Sequence, residues 1–395
     1  MPATSMHVTV TARPVDGQQL YFVDGESDAE AVRGLTGSAA LTETQKGALE
    51  TLGFEFSVTA AEVAAKRGKR KRREKDEADG EEGEESAEAR ATEIDEHLIQ
   101  QVVRVRMFTR TFPTSNVWVL HDGKQAALID AGYGDDSSTN ARIDSFKKEF
   151  SEFDFRYIAI THHHFDHSSG GRKLRDALRA ETAINPVDEE LLHTPSASNE
   201  DLPDEKEIAK RARVWHEEAL NTQIDLQLSD GDEFTVGGLT VRAVHTPGHT
   251  AGHNCYWVEQ IGVLFTGDNI LGVGTSAIGP PPRGDMEQYL QSLLRMRELQ
   301  SKLMAPGHGP IVTATAAKVD ELVDHRRTRD RQIIDLIERG YGTDRQIRRA
   351  LYPEIQKGLR RAAGGQVRSH LARLVGQGDV SVEEGEREWK VALTR

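Results

Sequence analysis

The sequence predicts a mixed α/β protein that carries extra segments at both ends. Between about residues 100 and 312, short apolar runs typical of strands alternate with amphipathic helical segments. Residues 66–96 join a basic block to an acidic block, and such runs bury too little apolar surface to fold. Beyond residue 318, three helical segments precede a hairpin pattern. We therefore expect four parts: a small N-terminal α+β appendage (1–60), a charged disordered linker (61–98), an α/β domain (99–315) and a C-terminal module (318–395).

Apolar periodicity and turn signals predict the individual elements. The appendage is expected to contain strands at His7–Ala12 and Gln19–Val23 and a helix at Thr42–Leu52. The central domain is expected to contain strands at Val102–Phe108, Asn116–His121, Ala126–Asp130, Tyr157–Thr161, Phe234–Val244 and Tyr256–Phe265. Its expected helices are Ile143–Phe150, Lys173–Ala180, Asp201–Leu220 and Met286–Leu299. Turn residues predict a hairpin at Asp122-Gly123 and a break in the fifth strand at Gly237-Gly238.

Bulk composition excludes several classes of protein. The chain has 395 residues, 37% of them hydrophobic, which suits two or three globular units. Its one cysteine, Cys255, cannot form an intramolecular disulfide, as is typical of reducing compartments. No signal-peptide pattern and no long apolar run is present, so we expect a cytoplasmic protein without membrane contact. The net charge of -14 argues against a surface coated with nucleic-acid-binding charge, and the oligomeric state stays open.

The strongest chemical signal is the motif THHHFDH at Thr161–His167, directly after a predicted strand. His162 and His164 are two residues apart, so their imidazoles point the same way in an extended chain. Two such nitrogens suit one metal ion at roughly 2.0–2.1 Å. Asp166 and His167 follow and can serve a second ion nearby. The alternative, a merely polar loop, is disfavoured by three motifs further along the chain.

Those three motifs each follow an apolar run. HTPGHTAGH presents His249 on a tight proline-glycine turn, LFTGD ends a short apolar segment at Asp268, and APGHGP repeats the turn device at His308. Four such pieces in this order predict a two-metal site on loops above a rigid α/β sandwich.

These residues resemble the metallo-β-lactamase superfamily, and the resemblance extends over roughly residues 100–395. The order GDNILGVGTSAI, APGHGP and HRRTRDRQI is similar to the β-lactamase-like protein 2 branch. The resemblance implies a four-layer αβ/βα sandwich in which His162, His164 and His249 bind a first metal ion. It also implies that Asp166, His167 and His308 bind a second ion and that Asp268 bridges both.

The donor set agrees with this chemistry. Nitrogen and oxygen ligands without a cysteine suit two Zn²⁺ per chain, with Mn²⁺ or Fe as rivals. Two ions about 3.5–4 Å apart share a bridging hydroxide, which attacks the substrate near neutral pH. Asp166 and Asp268 are the expected catalytic carboxylates, Asp166 as a relay for the proton of the nucleophile.

Other conspicuous residues near the motifs receive supporting roles. Asp130 resembles the superfamily's buried aspartate and is expected to orient the histidine motif. We interpret His163, His245 and His253 as structural or supporting residues. Cys255 is expected in the core, and Thr275 and Ser276 are candidates to line the pocket.

The C-terminal module has a winged-helix order of elements. The expected helices are Arg329–Arg339, Asp344–Leu351 and Gln366–Val375, and the expected hairpin joins Val380–Val382 to Trp389–Leu393. Arg368 and Arg373 would face outwards, with Arg360 and Arg361 just before them. They would contact phosphates or form ordinary surface charge. The hairpin turn is acidic, which argues against DNA reading; its carboxylates are Glu383, Glu384, Glu386 and Glu388.

Three functions are consistent with the sequence. The first is hydrolysis of a phosphodiester in single-stranded RNA, which the resemblance implies. The second is hydrolysis of a small-molecule ester or thioester with chemistry like that of glyoxalase II. The third is a DNA-binding regulator with an inert sandwich, which an intact ligand set disfavours.

Overall fold

The chain divides into two compact units, Met1–Ala89 and Arg90–Arg395. The structure is a computed structural model. It describes residues 7–15, 18–23, 40–42, 55–60, 91–92, 105–108, 115–194, 206–355, 359–385 and 388–394.

The first unit contains a four-stranded sheet. Its strands are β1 (His7–Val15), β2 (Gln18–Val23), β3 (Ala40–Thr42) and β4 (Glu55–Ala60), in the order β3-β2-β1-β4. The two predicted strands are present, and β4 pairs in parallel with β1. Apart from Thr42, which ends β3, the helix predicted at Thr42–Leu52 lies outside the described residues. Most of the predicted linker also lies outside them, but its residues Ala91–Thr92 form a strand and correct that prediction.

The second unit begins with a seven-stranded sheet. Its strands are β5 (Ala91–Thr92), β6 (Val105–Phe108), β7 (Val117–Asp122), β8 (Gln125–Ile129), β9 (Asp154–Ala159), β10 (Glu181–Ile184) and β11 (Leu226–Gln227). They are ordered along the sheet as they are in the chain, and β7 and β8 form the predicted hairpin. The pairs β8-β9, β9-β10 and β10-β11 are parallel, so these strands end at the same edge of the sheet.

A second sheet has five strands in chain order. They are β12 (Glu233–Val236), β13 (Leu239–His245), β14 (Asn254–Val258), β15 (Val263–Gly267) and β16 (Leu303–Pro306). The break expected at Gly237-Gly238 is a hairpin turn between β12 and β13. The single strand predicted at Tyr256–Phe265 is wrong, because the chain reverses near Gly262, where φ is +70°. Both halves are buried, so the apolar pattern does not reveal the turn.

Nine helices lie in the described part of the chain. They are α1 (Asp136–Glu149), α2 (Phe165–Ser168), α3 (Gly171–Leu178), α4 (Pro186–Leu192), α5 (Lys206–Leu220), α6 (Met286–Glu298), α7 (Thr315–Glu338), α8 (Asp344–Leu351) and α9 (Arg360–Gln377). The helix predicted at Ile143–Phe150 starts earlier, at Asp136. The helix predicted at Arg329–Arg339 starts at Thr315, because Val319, Leu322 and Val323 form a buried stripe in its first half.

The two sheets face each other across a shared core. The rings of Tyr157 in β9 and Phe234 in β12 lie 4.8 Å apart, and those of Trp118 in β7 and Phe265 in β15 lie 6.3 Å apart. Trp118 donates an indole hydrogen bond of 2.9 Å to the carbonyl oxygen of Pro306 at the end of β16. Helix α3 contacts β9 and β10, whereas α6 and α7 share a core with the second sheet. The second unit is therefore a mixed α/β fold with helices packed on both sheets.

The C-terminal helices enclose a separate apolar cluster. Helices α7, α8 and α9 pack with the hairpin formed by β17 (Val380–Glu383) and β18 (Lys390–Leu393). The cluster contains Ile333, Ile337, Ile347, Val367, Leu371, Leu374, Val380, Trp389 and Val391. Because α7 contributes to this cluster and to the core under the second sheet, one continuous helix joins the two regions.

The outward orientation predicted for Arg368 and Arg373 is wrong. Arg368 forms a 2.6 Å ion pair with the buried Asp344, and Arg373 pairs with Glu287 at 2.8 Å and with Asp330. Helix α9 packs against α6, α7 and α8 together, so a helix whose sequence suggests one buried face has several.

No helix among the described residues is long and apolar enough to cross a membrane.

The C-terminal cluster can be tested by truncating one of its central side chains. We expect Leu371→Ala to lower the free energy of unfolding by about 2–5 kcal/mol, because Leu371 is fully buried and the neighbouring helices leave a cavity. Val375→Ala removes an exposed side chain from the same helix and serves as the control. Urea unfolding of the full chain measures both, and equal midpoints for the two variants would contradict the assigned core.

Candidate metal centre

All seven predicted ligands lie at one edge of the sandwich, five of them on loops and two, Asp166 and His167, in the short helix α2. The segment Thr161–His167 follows the end of β9, and its last residues begin α2. His249 lies on the loop after β13, Asp268 comes directly after β15, and His308 follows β16. Because β15 and β16 are parallel, Asp268 and His308 emerge side by side. The structure brings every predicted ligand into one group.

Three histidines form the first part of the group. His164 Nδ1 lies 3.0 Å from His162 Nε2 and 3.0 Å from His249 Nε2. His162 is fully buried and His249 is 8% exposed, so water has little access to these nitrogens. This spacing is close to that of three nitrogens that bind one tetrahedral metal ion.

A second part contains Asp166, His167 and His308. Asp166 Oδ2 lies 3.1 Å from His308 Nε2, and His167 Nε2 lies 3.2 Å from the same nitrogen. Asp268 lies between the two parts. Its Oδ1 is 3.3 Å from His167 Nε2, and its Oδ2 is 3.7 Å from His249 Nε2. One carboxylate therefore touches both groups of donors.

Hydrogen bonds at the outer ring nitrogens decide which nitrogen faces inwards. The carbonyl oxygen of Ala277 can only accept, so His249 carries its proton on Nδ1, 3.0 Å away. The Asp130 carboxylate likewise accepts from His167 Nδ1 at 2.8 Å. Thr161 donates its hydroxyl to Asp130 and so accepts from His162 Nδ1 at 3.0 Å. The Nε2 atoms of these three histidines therefore point inwards as potential ligands.

Burial keeps the first group of histidines neutral. It is the largest cause that lowers the pKa of His162, His164 and His249, and the neighbouring histidines lower the pKa of His162 and His164 further. A neutral imidazole has a lone pair, which is the form that binds a metal ion.

In the second group, by contrast, His167 and His308 favour the positively charged form. Burial alone would favour neutral imidazoles, but nearby carboxylates, Asp268 first, raise the pKa of His167 to about 10 and that of His308 to about 12. Both histidines in turn hold the pKa of Asp166 and Asp268 below the usual range against the effect of burial. Two carboxylates attract positive charge here, and a divalent cation would displace the protons from the imidazoles.

The donors present fit a pair of metal ions. Three sets of ligand atoms each lie within 4.8 Å of one another: His162, His164 and His249; His162, His167 and Asp268; Asp166, His167 and His308. Asp268 Oδ1 is buried and accepts no hydrogen bond from any described residue, so it is an unsatisfied acceptor aimed at the group. All donors are nitrogen or oxygen atoms.

Asp130 has the orienting role that the sequence predicts. It accepts hydrogen bonds from the Thr161 backbone amide at 2.8 Å and from His167 Nδ1. Its own φ is +65°, a left-handed conformation that is rare outside glycine. The carboxylate therefore connects both ends of the histidine motif to the end of β8.

Asp188 is a supporting residue that the sequence analysis missed. Its buried carboxylate accepts from the His163 amide at 2.8 Å, the Thr250 hydroxyl at 2.8 Å and the Gly252 amide at 2.7 Å. It thereby joins the histidine motif to the loop of His249. The sequence does contain a hint: Asn185-Pro186 is typical of a helix start directly after the buried strand β10, and this places Asp188 in the first turn of that helix.

The remaining residues mostly follow their predicted roles. His163 Nδ1 lies 3.1 Å from Asp188, and His245 Nε2 lies 2.9 Å from the carbonyl oxygen of Ala251. His253 is buried and accepts a 3.2 Å hydrogen bond from the Asp268 amide. Cys255 is buried in the core under the second sheet. Ser276 lies 3.0 Å from His249 Nδ1, whereas Thr275 is exposed.

The C-terminal helices hold the loop that orients His249. Arg326 of α7 is buried and donates a 2.6 Å hydrogen bond to the carbonyl oxygen of Ser276. Gln366 of α9 accepts from the Ile278 amide at 2.9 Å. These contacts lie on both sides of Ala277, whose carbonyl oxygen accepts from His249. The C-terminal module is therefore physically connected to the first group of histidines.

The comparison with protein families identifies the fold and the class. The sequence model of the metallo-beta-lactamase superfamily matches residues 110–308. The chain belongs to the metallo-β-lactamase superfamily. Members of this superfamily are generally hydrolases and typically bind metal ions, which agrees with the converging donors of this chain.

Several curated superfamily proteins are similar to the chain. Lactamase-like protein aptB of Emericella nidulans is 29% identical over 296 residues, which cover 71% of this chain and 83% of that protein. The beta-lactamase-like protein 2 homolog of Caenorhabditis elegans is 29% identical over 68% of this chain and 81% of its own length. Atrochrysone carboxyl ACP thioesterase of Aspergillus fumigatus is 30% identical over 56% of this chain and 58% of its own length.

Solved structures share the metallo-β-lactamase fold. A metallo-beta-lactamase family protein from Thermus thermophilus has a TM-score of 0.61 and 22% identity, and covers 73% of this chain and 98% of its own. A beta-lactamase domain protein from Burkholderia ambifaria also has a TM-score of 0.61, with 19% identity over 73% of this chain and 92% of its own.

Removal of the Asp188 carboxylate tests its connecting role. We expect Asp188→Ala to lower the free energy of unfolding by about 3 kcal/mol or more, because it leaves three donors without their acceptor. Glu190→Ala changes an exposed carboxylate on the same helix and is the control. Chemical unfolding provides the measurement. A midpoint as high as that of the control would show that Asp188 does not connect the two loops.

Arg326 can be tested separately from folding. Arg326→Met keeps an apolar stem in the buried site but removes the hydrogen bond to Ser276. We expect the turnover number to fall about tenfold, because small displacements of a ligand weaken catalysis strongly. The melting temperature is expected to fall by no more than several degrees, because only one neutral carbonyl oxygen loses its donor.

The exposed neighbour Arg327→Met is the matched control for that experiment. Arg326→Lys, which can still donate a hydrogen bond, is expected to recover part of the turnover. If the methionine variant kept full turnover, the link from α7 to His249 would have no catalytic role.

Proposed function

We propose that the chain is a binuclear metal-dependent hydrolase. His162, His164 and His249 would hold one ion, Asp166, His167 and His308 the other, and Asp268 would bind both. The observation that carries this proposal is the convergence of seven nitrogen and oxygen donors, in which Nε2 of His162, His167 and His249 is directed inwards. Zn²⁺ is the metal proposed, with Mn²⁺ or Fe²⁺ as rivals for the same nitrogen and oxygen donors.

The protein groups have distinct tasks in this proposal. The ions, when bound, supply a water of lowered pKa and a Lewis acid for the substrate oxygen. Asp166 and Asp268 would be the catalytic carboxylates, and Asp166 would accept the proton of the attacking water. Asp130 holds the proton on His167 Nδ1, which keeps Nε2 directed at the centre. Asp188 and Arg326 hold the ligand loops in position through their hydrogen bonds.

An acyl thioester is the proposed substrate. One relative is an acyl carrier protein thioesterase by name. Beside Asp166, the partly exposed ring of Phe165 stacks on Trp215 at 5.3 Å, and Tyr133 lies against both. Tyr133 and Trp215 are buried and support Phe165, whose exposed edge suits contact with the apolar chain of an acyl group. Water would add to the carbonyl carbon, the C–S bond would break, and the thiol would leave with a proton.

A phosphodiester in single-stranded RNA is the second candidate. The same centre would serve it, and exposed arginines on α8 and α9 favour an anionic substrate. The regulator hypothesis receives no such support, because Arg368 and Arg373 are engaged in ion pairs.

We also propose a winged-helix character for residues 318–395, supported by three helices followed by a hairpin. We place the protein in the cytoplasm.

Metal binding is the first test of this function. We expect elemental analysis of the purified, metal-supplemented protein to find two ions per chain. His162→Ala and Asp268→Ala are expected to lower that number and to reduce turnover by at least about a thousandfold, because each removes a ligand. His193→Ala, a histidine outside the donor group, is the control. Full metal content in both ligand variants would refute the assignment.

The substrate is tested by comparing two panels under the same conditions. Acyl thioesters are followed by thiol release, and labelled single-stranded RNA is followed by product length. We expect metal-dependent thioester hydrolysis that is lost in Asp268→Ala. Cleavage of RNA alone would replace the thioester proposal by the second candidate, and inactivity on both would reject both substrates.

A further inference from the structure

Five arginines on two neighbouring helices have no anionic partner in the described part of the chain. They are Arg345, Arg348, Arg349, Arg360 and Arg361, and they are called the arginine surface below. None of their side chains forms an ion pair or a hydrogen bond with a described residue, and four of the five are exposed. Seven other arginines of the fold pair with carboxylates: Arg172, Arg175, Arg295, Arg297, Arg339, Arg368 and Arg373.

The arginine surface is a continuous patch of positive charge that is paired with no carboxylate of the described residues. Arg345, Arg348 and Arg349 lie on one face of α8 at helical spacing. The stem of Arg348 lies beside Gly364 of α9, one turn after Arg360 and Arg361. Burial lowers the pKa of Arg348, and the charges of Arg349, Arg360 and Arg345 lower it further. The nearby Asp344 is occupied by Arg368 and by the amide of Trp389.

This patch adjoins the loop that orients His249. One helical turn from Arg361, Gly365 packs near Pro280, and Gln366 accepts a hydrogen bond from Ile278. Arg283 on the same loop lies close enough to Arg361 for the two charges to repel each other, which, after burial, lowers the pKa of Arg283. The arginine surface therefore lies beside the loop whose Ala277 carbonyl oxygen orients His249.

The extent of the patch points to a macromolecule. Five guanidinium groups on two helices exceed what a single phosphate group requires. Single-stranded RNA usually stacks its bases on exposed aromatic rings beside such charges. Among the large apolar side chains exposed in the described residues, only Tyr341 is aromatic. A folded acidic protein needs no such stacking platform, and charge complementarity is enough to dock it.

We propose that the arginine surface docks an acidic carrier protein that presents its acyl thioester to the metal centre on a flexible arm. This inference rests on the proposed thioesterase function. The carrier binds to α8 and α9, and the tethered acyl group passes along the loop of Arg283. Because the arginines steer the encounter and do not touch the reacting atoms, they act on the KM for the carrier-bound substrate and not on kcat.

The test reverses two charges of the patch with R349E/R361E. The substrates are a bacterial acyl carrier protein loaded with a medium-chain acyl thioester and the uncharged N-acetylcysteamine thioester of the same acyl group. At low salt we expect kcat/KM for the carrier-bound substrate to fall at least about tenfold, while kcat/KM for the small substrate is unchanged. The difference is expected to shrink in high salt, because salt screens surface charges.

The control variant K147E/K148E reverses two exposed lysines on α1 and is expected to leave both substrates unaffected. Equal loss on both substrates, or no loss on the carrier-bound one, would overturn the docking proposal. Binding of the unloaded carrier protein, measured by calorimetry against salt, reports docking without turnover. If the enzyme hydrolyses neither thioester but binds the carrier through these arginines, the proposed function fails and the docking surface stands.

A third binding experiment uses a single-stranded RNA oligonucleotide. We expect weaker binding of the RNA than of the carrier protein at equal salt. Preferential binding of RNA, lost in R349E/R361E, would assign the arginine surface to the other class of partner and overturn the carrier proposal.

Discussion

The crowding of seven nitrogen and oxygen donors at one edge of the sandwich is the constraint on which the site depends. Lone pairs and carboxylates at this distance repel one another, and protons or metal ions must compensate for that repulsion. Hydrogen bonds that the imidazoles donate to Asp130, Thr161 and the carbonyl oxygen of Ala277 prevent the rings from turning away. The surrounding fold therefore holds the donors in a crowded arrangement that bound protons or metal ions stabilise.

Long-range contacts supply the force that holds the arrangement. Asp188 joins two ligand loops from a third element, and Arg326 reaches from the C-terminal helix α7 to the loop behind His249. Helix α7 belongs to two apolar cores at once. Packing in the C-terminal module therefore helps to fix the orientation of the His249 ring. Because α7 contributes to both cores, the α/β domain and the C-terminal module form one compact unit.

The arginines of the C-terminal module separate into two kinds. Arg368 and Arg373 stabilise the packing of α9 through ion pairs, whereas the arginine surface remains without carboxylate partners in the described residues. An unpaired cluster of like charges costs stability, so its presence beside the loop that orients His249 is better explained by an anionic partner than by folding. The superfamily fold itself carries no such preference, because one fold serves many substrates.

The sequence alone determined the family, the seven candidate ligands and the role of Asp130, because each lies in a short motif whose residue types and spacing have a local physical meaning. Only the tertiary structure decided the rest. Asp188, Arg326 and Gln366 contact residues 25 to 88 positions away, and no local pattern records such contacts. The sequence pattern also does not reveal the turn within Tyr256–Phe265 or the inward orientation of Arg368 and Arg373. In each case the decisive factor was which neighbouring element covered the residue, and that is set by packing and not by periodicity.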